Sequence, residues 1–455
     1  MPDFGVYIHF PYCAKRCPYC DFAIAVRRTI RHDRYLTAIE NELAAKAPWF
    51  AGRRAVSVYF GGGTPSLWRP DCVASALHRV LKQFPPASGI TPEVTLECDP
   101  AELSPLTAGA DAVQRLSALR SAGVNRLSLG AQSFSHRHLL ALGRRHGPED
   151  IHAAVRAARQ AGFKNVSLDL MVGLQDQSLS ELDNDLDALL STQPEHVSLY
   201  LLTVEPRTPL SAAIGRGAAP PVDPDVQAAA YERVRDRLGN AGFVHYEISN
   251  FARRDATRDL RARHNRLYWT GGEYLGLGVG AHSFRRLPAQ PGQHPAGSGQ
   301  RFANQRGIDP YLRLWAPGDA QEQAAAHDSI GPSGAPTAPP ARGRLPLYAG
   351  PDSDSTDGPP SVAADSSADA PFPGLALFEE RDGDALTREA MWLSLRRIEG
   401  VHRAEFQAEY GIDPEHDFAD IIADLRQQGR LAPDAPLRLS PAGLLFADEA
   451  GAAFL

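Results

Sequence analysis

The sequence predicts an α/β fold: a partial barrel of six parallel strand–helix units, followed by a winged-helix-like helical module. Three observations predict it. Short β-rich runs recur every ~30–50 residues with helical patterns between them. Polar or glycine-rich residues follow nearly every run. The composition breaks sharply once, well past the last run.

The β-rich runs are residues 5–10, 55–62, 93–98, 126–132, 165–173 and 196–202. Each is rich in Val, Leu, Ile or Tyr and is bounded by turn residues. Apolar residues at three- and four-residue steps mark helices over 34–47 and 72–82. Parallel strands need such crossovers. A doubly wound sheet places its site in one switch-point crevice. A barrel builds it from the carboxyl ends of many strands. Here the cysteines at 13–20 follow the first run, and Gly61, Gly62, Gly63 and Thr64 end the second. Glu97 and Asp99 close the third, Gln132 ends the fourth and Asp169 lies in the fifth. That distribution favours the barrel.

Residues 331–374 hold 10 Pro and 6 Gly among Ala, Ser and Asp. Such a stretch has too little apolar surface to offset its ordering entropy, so it reads as a disordered insertion. Helical patterns resume at 387–398, 405–410 and 419–428, and 436–445 reads as a short hairpin. The expected organisation is a barrel over 1–215, a barrel-associated extension over 216–317, an insertion over 318–374 and the winged-helix-like module over 375–455.

The net charge of −7 leaves no electrostatic footprint for general nucleic-acid or membrane-surface binding. From residue 382 onward, 14 acidic residues face 7 Arg and no Lys, which argues against DNA contact by the terminal module. No apolar run reaches the ~18 residues of a spanning helix. The first residues carry no basic-then-apolar leader. The expected location is the cytoplasm.

Three of five cysteines lie within eight residues, as Cys13, Cys17 and Cys20. An odd count with one tight cluster argues against a disulfide framework and for metal or redox chemistry. Three thiolates on one loop can hold three irons of a [4Fe–4S] cubane. The fourth iron then stays open to a chelator such as the amino and carboxylate groups of methionine. A structural zinc site would want a fourth ligand. Three buried structural thiols are the remaining reading. Bare backbone at Gly62 and Gly63 permits close approach of such a chelator.

The C-x3-C-x2-C string resembles the signature of the radical S-adenosylmethionine (SAM) superfamily. Tyr59–Ser66 (YFGGGTPS), Leu127–Phe134 (LSLGAQSF) and Asp169–Leu174 (DLMVGL) sharpen the resemblance to the branch of coproporphyrinogen III dehydrogenases and heme chaperones. The resemblance implies a cluster on Cys13, Cys17 and Cys20. It implies SAM contacts from Tyr7, Tyr19, Gly62, Gly63, Thr64, Glu97, Gln132, Arg144, Asp169 and Thr203. Two features separate the branches. The dehydrogenases carry a fourth cysteine two residues after the third, where this chain has Phe22. The chaperones carry His-Asn-x-x-Tyr-Trp, which stands here as His264-Asn265-Arg266-Leu267-Tyr268-Trp269.

The resemblance therefore implies a heme chaperone that binds a [4Fe–4S] cluster, SAM and heme and delivers heme to acceptor hemoproteins, among them membrane respiratory enzymes. His264, Tyr268 and Trp269 would meet the heme. Imidazole is a common axial ligand, and the two aromatic rings offer flat apolar surface. Chemistry alone favours an ordinary packed aromatic cluster with a hydrogen-bonded histidine, and His9, His245 and His282 are rival ligands. Two enzyme readings stand beside the chaperone: oxygen-independent coproporphyrinogen III dehydrogenase, and a radical enzyme with another substrate. Whether SAM is cleaved, and so whether the chain is an enzyme, stays open at this stage.

Overall fold

The computed structural model describes residues 1–109, 111–318 and 371–455. Six parallel strands form its centre: β1 (Asp3–Phe10), β2 (Arg54–Gly62), β3 (Glu93–Cys98), β4 (Arg126–Gln132), β5 (Val166–Val172) and β6 (His196–Leu201). Two of them, β3 and β4, have the bounds expected from sequence. The sheet does not stop there. Beyond β6 come β8 (Asn250–Arg253) and β7 (Phe243–Glu247), both antiparallel. Beyond β1 come β9 (Tyr274–Leu277), parallel to it, then β10 (His282–Leu287), β11 (Ser298–Asn304) and β12 (Leu375–Arg381), each antiparallel to its neighbour. The result is one twelve-stranded sheet in the order β12-β11-β10-β9-β1-β2-β3-β4-β5-β6-β8-β7.

The central strands alternate, with Met171 of β5 an apolar exception in the lumen. Phe4, Val6, Ile8 and Phe10 of β1 are fully buried with Val58 and Phe60 of β2, in one core with helix residues such as Ile39 and Val73. The intervening residues face a large cavity: Tyr7 and His9, Tyr59, Glu97, Ser128, Asp169 and Tyr200. Parallel strands covered on both faces usually read as unbroken apolar runs. Here the period of two puts apolar residues under helices and polar ones into the lumen.

The helices follow local rules. α1 (His32–Lys46) and α2 (Pro70–Gln83) bury stripes at helical spacing, Cys72, Val73, Ala76, Leu77 and Val80 in the second. α3 (Leu179–Ser191) opens with a capping box of Ser178 and Glu181. Near the far edge, a buried network ties α1 to β11 and to α4 (Ile308–Trp315). Lys46 Nζ donates to Glu42 Oε1 at 2.6 Å and to Asn304 Oδ1 at 2.7 Å, and Tyr311 Oη donates to Glu42 Oε2 at 2.6 Å.

The expected insertion over 318–374 falls largely outside the described residues. Its last four residues correct the expectation of disorder: Phe372 is buried, its ring 4.6 Å from Trp49 and 5.7 Å from Phe302. Asn41 Nδ2 donates to Trp315 O at 2.7 Å. The terminal region is helical, with α5 (Gly383–Leu395), α6 (Arg403–Tyr410) and α7 (Ala419–Gln427). The expected hairpin over 436–445 is also corrected. Only single bridges join Leu431 to Leu439 and Val401 to Leu437, and Gly443–Phe446 turns into a 3-10 helix. Proline at 436 and 441 leaves no donor for a regular ladder there. No helix among the described residues is long and apolar enough to cross a membrane.

Candidate functional site

The cysteine loop leaves β1 and is pinched at its base, where Tyr12–Cys13 pairs with Ala25–Val26. The glycine segment after β2 clips onto it. Gly63 N donates to Phe10 O at 2.8 Å and Thr64 N to Tyr12 O at 2.9 Å. A Cβ on Gly63 would stand 2.7 Å from Tyr12 O, so only glycine fits. Gly62 has a φ of 110°, and a Cβ there would stand 2.6 Å from the His9 ring.

Cys13, Cys17 and Cys20 are free thiols that line the cavity together. Thr64 Oγ1 lies 3.5 Å from Cys13 Sγ, and Arg144 Nη1 lies 3.8 Å from Cys17 Sγ. Burial pushes the Cys13 thiol up to about 11, partly offset by the Thr64 hydroxyl. Such thiols ionise when a cation takes them as ligands. Among the described residues no three His, Cys, Asp or Glu side chains converge to hold a single metal ion. A cubane instead takes each thiolate on a different iron. Three unbridged thiols on one cavity wall beside a guanidinium fit a cluster better than zinc.

Around this loop stand the residues expected to meet SAM. Glu97 accepts from Gly62 N at 3.0 Å and from Tyr59 Oη at 2.8 Å. Burial raises its carboxyl to about 7. Asp169, also raised by burial, accepts from Ser128 Oγ at 3.0 Å. Gln132 ends β4 at a positive φ of 66°, beside an irregularity in the β4–β5 register. A non-glycine residue held there marks a constrained site. Arg144 Nη2 pairs with Asp99 Oδ2 at 3.0 Å. Burial alone would raise Asp99, but Arg144 and the hydrogen bond from His146 hold it well below the usual range. Tyr7 Oη meets His9 Nδ1 at 3.1 Å, and Tyr19 packs against Leu142, Met171, Leu174 and Leu202. These residues line the cavity with Gly62, Gly63 and Thr64. Thr203 does not: it is exposed, bonds back to Leu201 O at 3.5 Å and lies outside the lining. Tyr200, the last residue but one of β6, lines the cavity there.

The His-Asn-x-x-Tyr-Trp string forms a short helix, Arg263–Trp269, packed against β1 and β2. The Glu93 carboxylate accepts from its first two amides, Arg263 N at 3.0 Å and His264 N at 3.1 Å, capping the helix. His264 is buried. Its Nδ1 lies 2.8 Å from Ser57 Oγ, its Nε2 lies 3.0 Å from Tyr268 Oη, and its ring stacks on Tyr59 at 5.1 Å. Burial, then Arg126, push its pKa down to about 3. Both ring nitrogens therefore have partners. Tyr268 in turn meets Tyr274 edge-on at 4.7 Å, and Trp269 packs on Arg396. His264, Tyr268 and Trp269 line the same cavity as the cysteines.

Comparison with known proteins bears on this arrangement. The profile of the Radical SAM superfamily matches residues 7–189. The heme chaperone HemW of Escherichia coli K12 is 36% identical over 320 residues, covering 68% of this chain and 79% of the relative. This chain belongs to the HemW family. HemW of Bacillus subtilis 168 aligns over 99% of both chains at 28% identity, so the HemW likeness spans the terminal helices as well as the barrel. Among solved structures, the radical SAM enzyme HemN, coproporphyrinogen III oxidase of E. coli, superposes with a TM-score of 0.68 at 21% identity, covering all of this chain and 90% of HemN. That likeness speaks for the fold alone.

The HemW-family cavity has a volume of about 1310 Å³ and runs from the cysteines to the terminal helices. Part of its wall escaped the sequence reading. Arg301 of β11 makes a buried ion pair with Glu389 of α5, and both line the cavity with Leu386 and Leu393. The partners stand 88 residues apart, on either side of the Pro-rich stretch. No local pattern announces such a pair. Ser128 and Tyr200 were within reach, because they share the lumen-facing period of Asp169.

Proposed function

We propose that this chain is a cytoplasmic heme chaperone that holds a [4Fe–4S] cluster, SAM and heme in one cavity and passes heme to acceptor hemoproteins, including respiratory enzymes in the membrane. One observation carries the reading. The three thiols and the Tyr268–Trp269 face line a single cavity larger than the ~300–1,000 Å³ of one small-ligand site.

Cys13, Cys17 and Cys20 would hold the cluster, with the Arg144 guanidinium beside Cys17 offsetting its negative charge. When bound, the cluster supplies an iron corner open to the amino and carboxylate groups of SAM. Glu97 is placed to accept from an ammonium, and its ionised form becomes the favoured one when that cation arrives. The bare backbone of Gly62 and Gly63 leaves room for the methionine moiety. Asp169, Ser128 and Gln132 offer acceptors and donors for a ribose, with Tyr7 and Tyr19 as flat packing surfaces. Heme would occupy the other end, against Tyr268, Trp269 and the inner face of β10–β12. Phe22 in place of a fourth cysteine separates the site from the dehydrogenase pattern.

Anaerobic reconstitution with iron and sulfide, then titration with SAM and with hemin, tests the reading. The expected result is one cluster per chain that disappears in Cys17→Ala, stoichiometric hemin binding and no protoporphyrinogen formed from coproporphyrinogen with reductant. A zinc-loaded protein without hemin affinity would overturn it.

A further inference from the structure

Resting on the heme-binding reading above, we propose that His282, rather than His264, supplies the axial imidazole to heme. His282 opens β10 at the cavity wall. Its Nδ1 is buried without a hydrogen-bond partner, the one histidine nitrogen of this kind among the described residues. Nδ1 is closed off from the cavity, and no hydrogen bond from a described residue claims Nε2, which is left as the nitrogen a metal in the cavity can reach. The rival imidazoles are spoken for. His264 is held at both nitrogens by Ser57 and Tyr268. His9 is held by Tyr7 Oη and by Ala23 O at 3.0 Å. His245 lies outside the cavity lining, stacked on Phe251 at 4.2 Å with Nε2 on Ile248 O.

The surroundings suit an iron macrocycle carrying carboxylates. Alternate residues of β10, namely His282, Phe284 and Arg286, line the cavity. The cross-strand partners of the first two on β11 are Ala303 and Arg301, which face the same way. The same face thus offers a ligand nitrogen, a flat apolar floor of Phe284 and Ala303, and a guanidinium rim. Arg306, also on the rim, donates to the Asp21 carbonyl and makes no ion pair with a described residue. Arg286 and Arg301 on this face are already ion-paired, with Glu409 and Glu389, which leaves Arg306 for a propionate. Burial, with Arg301 and Arg306 nearby, pushes His282 down to about 4, so at neutral pH it is in the uncharged form that ligates metal.

Hemin titration of the anaerobically reconstituted full chain decides the matter, read by the Soret band and by resonance Raman of the iron–histidine stretch in the ferrous state. In His282→Ala we expect roughly tenfold weaker binding, a displaced Soret band and loss of the iron–histidine stretch. Added imidazole should restore the band. His264→Gln should keep the wild-type spectrum. His282→Met, which preserves bulk, should fold and show a changed axial signature, so a poorly folding alanine variant does not spoil the test. Wild-type affinity and spectrum in both His282 variants overturn the assignment while leaving heme binding intact. A wild-type chain that takes up no hemin overturns heme binding itself and the assignment with it.

Discussion

Substituting Gly63 by alanine is the sharpest test of how the cysteine loop is held. The added Cβ would meet Tyr12 O at 2.7 Å and Pro11 C and O at 2.8 Å. Those atoms are backbone, so no side chain can swing aside. The chain must separate the glycine segment from the loop, loosening the bonds from Gly63 N to Phe10 O and from Thr64 N to Tyr12 O. Two backbone hydrogen bonds at a net ~0.5–1.5 kcal/mol each, plus overpacking strain of ~1–3 kcal/mol, put the cost near 3 kcal/mol. Such a loss lowers the melting temperature by several degrees. The displaced loop also carries the thiols, so iron and sulfide per chain after anaerobic reconstitution should fall well below wild type. Gly239→Ala is the control. It lies in the helix Pro224–Asn240 with open space around its Cβ, and should gain about 0.5–1 kcal/mol. A Gly63→Ala protein that melts with wild type and reconstitutes fully would refute the clip.

Three further outcomes follow from the same geometry. Glu97 binds its proton more tightly when folded, with a pKa raised to about 7, so apo stability is greatest below the unfolded carboxyl value and is lost as pH rises through about 7. In melts of apo protein across pH 5–8, Glu97→Gln should flatten that loss, which amounts to at most about 3 kcal/mol; an unchanged slope would show that Glu97 is not the group responsible. His264→Ala leaves the Ser57 and Tyr268 hydroxyls unpaired beneath Tyr59 and should cost about 2–4 kcal/mol in a denaturant melt; a neutral effect would contradict the packed, bonded imidazole. Arg301→Met buries an unpaired Glu389 and should destabilise by ~3–5 kcal/mol and expose α5 to protease. Arg301→Met with Glu389→Met should recover most of that stability, and a double variant worse than the single one would deny the pairing.

The barrel was legible because its strands advertise themselves. Val6-Tyr7-Ile8 and Val58-Tyr59-Phe60 combine high strand propensity with the period of two that separates core from lumen. The strands β7–β12 do not. Tyr274–Leu277 is interrupted by Gly276, and Ser298–Asn304 carries Gln300, Arg301 and Asn304, so their strand form comes from their partners in the sheet, β1 for the first and β10 and β12 for the second. Gly276 itself is dictated by tertiary contact, since a Cβ there would lie 2.1 Å from His282 O. The cysteine spacing was readable because all three thiols ride one short loop. Thr203 misled because strand-end position alone does not settle whether a residue turns inward: it is exposed, although Tyr200 before it and Glu205 after it both line the cavity. The two bonds that occupy His264 depend on Ser57 and on a helix beneath the strands, neither of which sequence spacing conveys.

The anchors of α4 and Phe372 have a consequence for the length of chain between them. Trp315 O is held by Asn41, and Phe372 rests on Trp49, so both land along α1 and its 3-10 extension, Ala47–Phe50. Eight residues of helix separate the two grips, about 12 Å at 1.5 Å per residue. A flexible tether between points that close would carry a closure cost that grows only with the logarithm of its length. Replacing 319–370 with a brief Gly–Ser tether should therefore leave cluster assembly and the fold as they were.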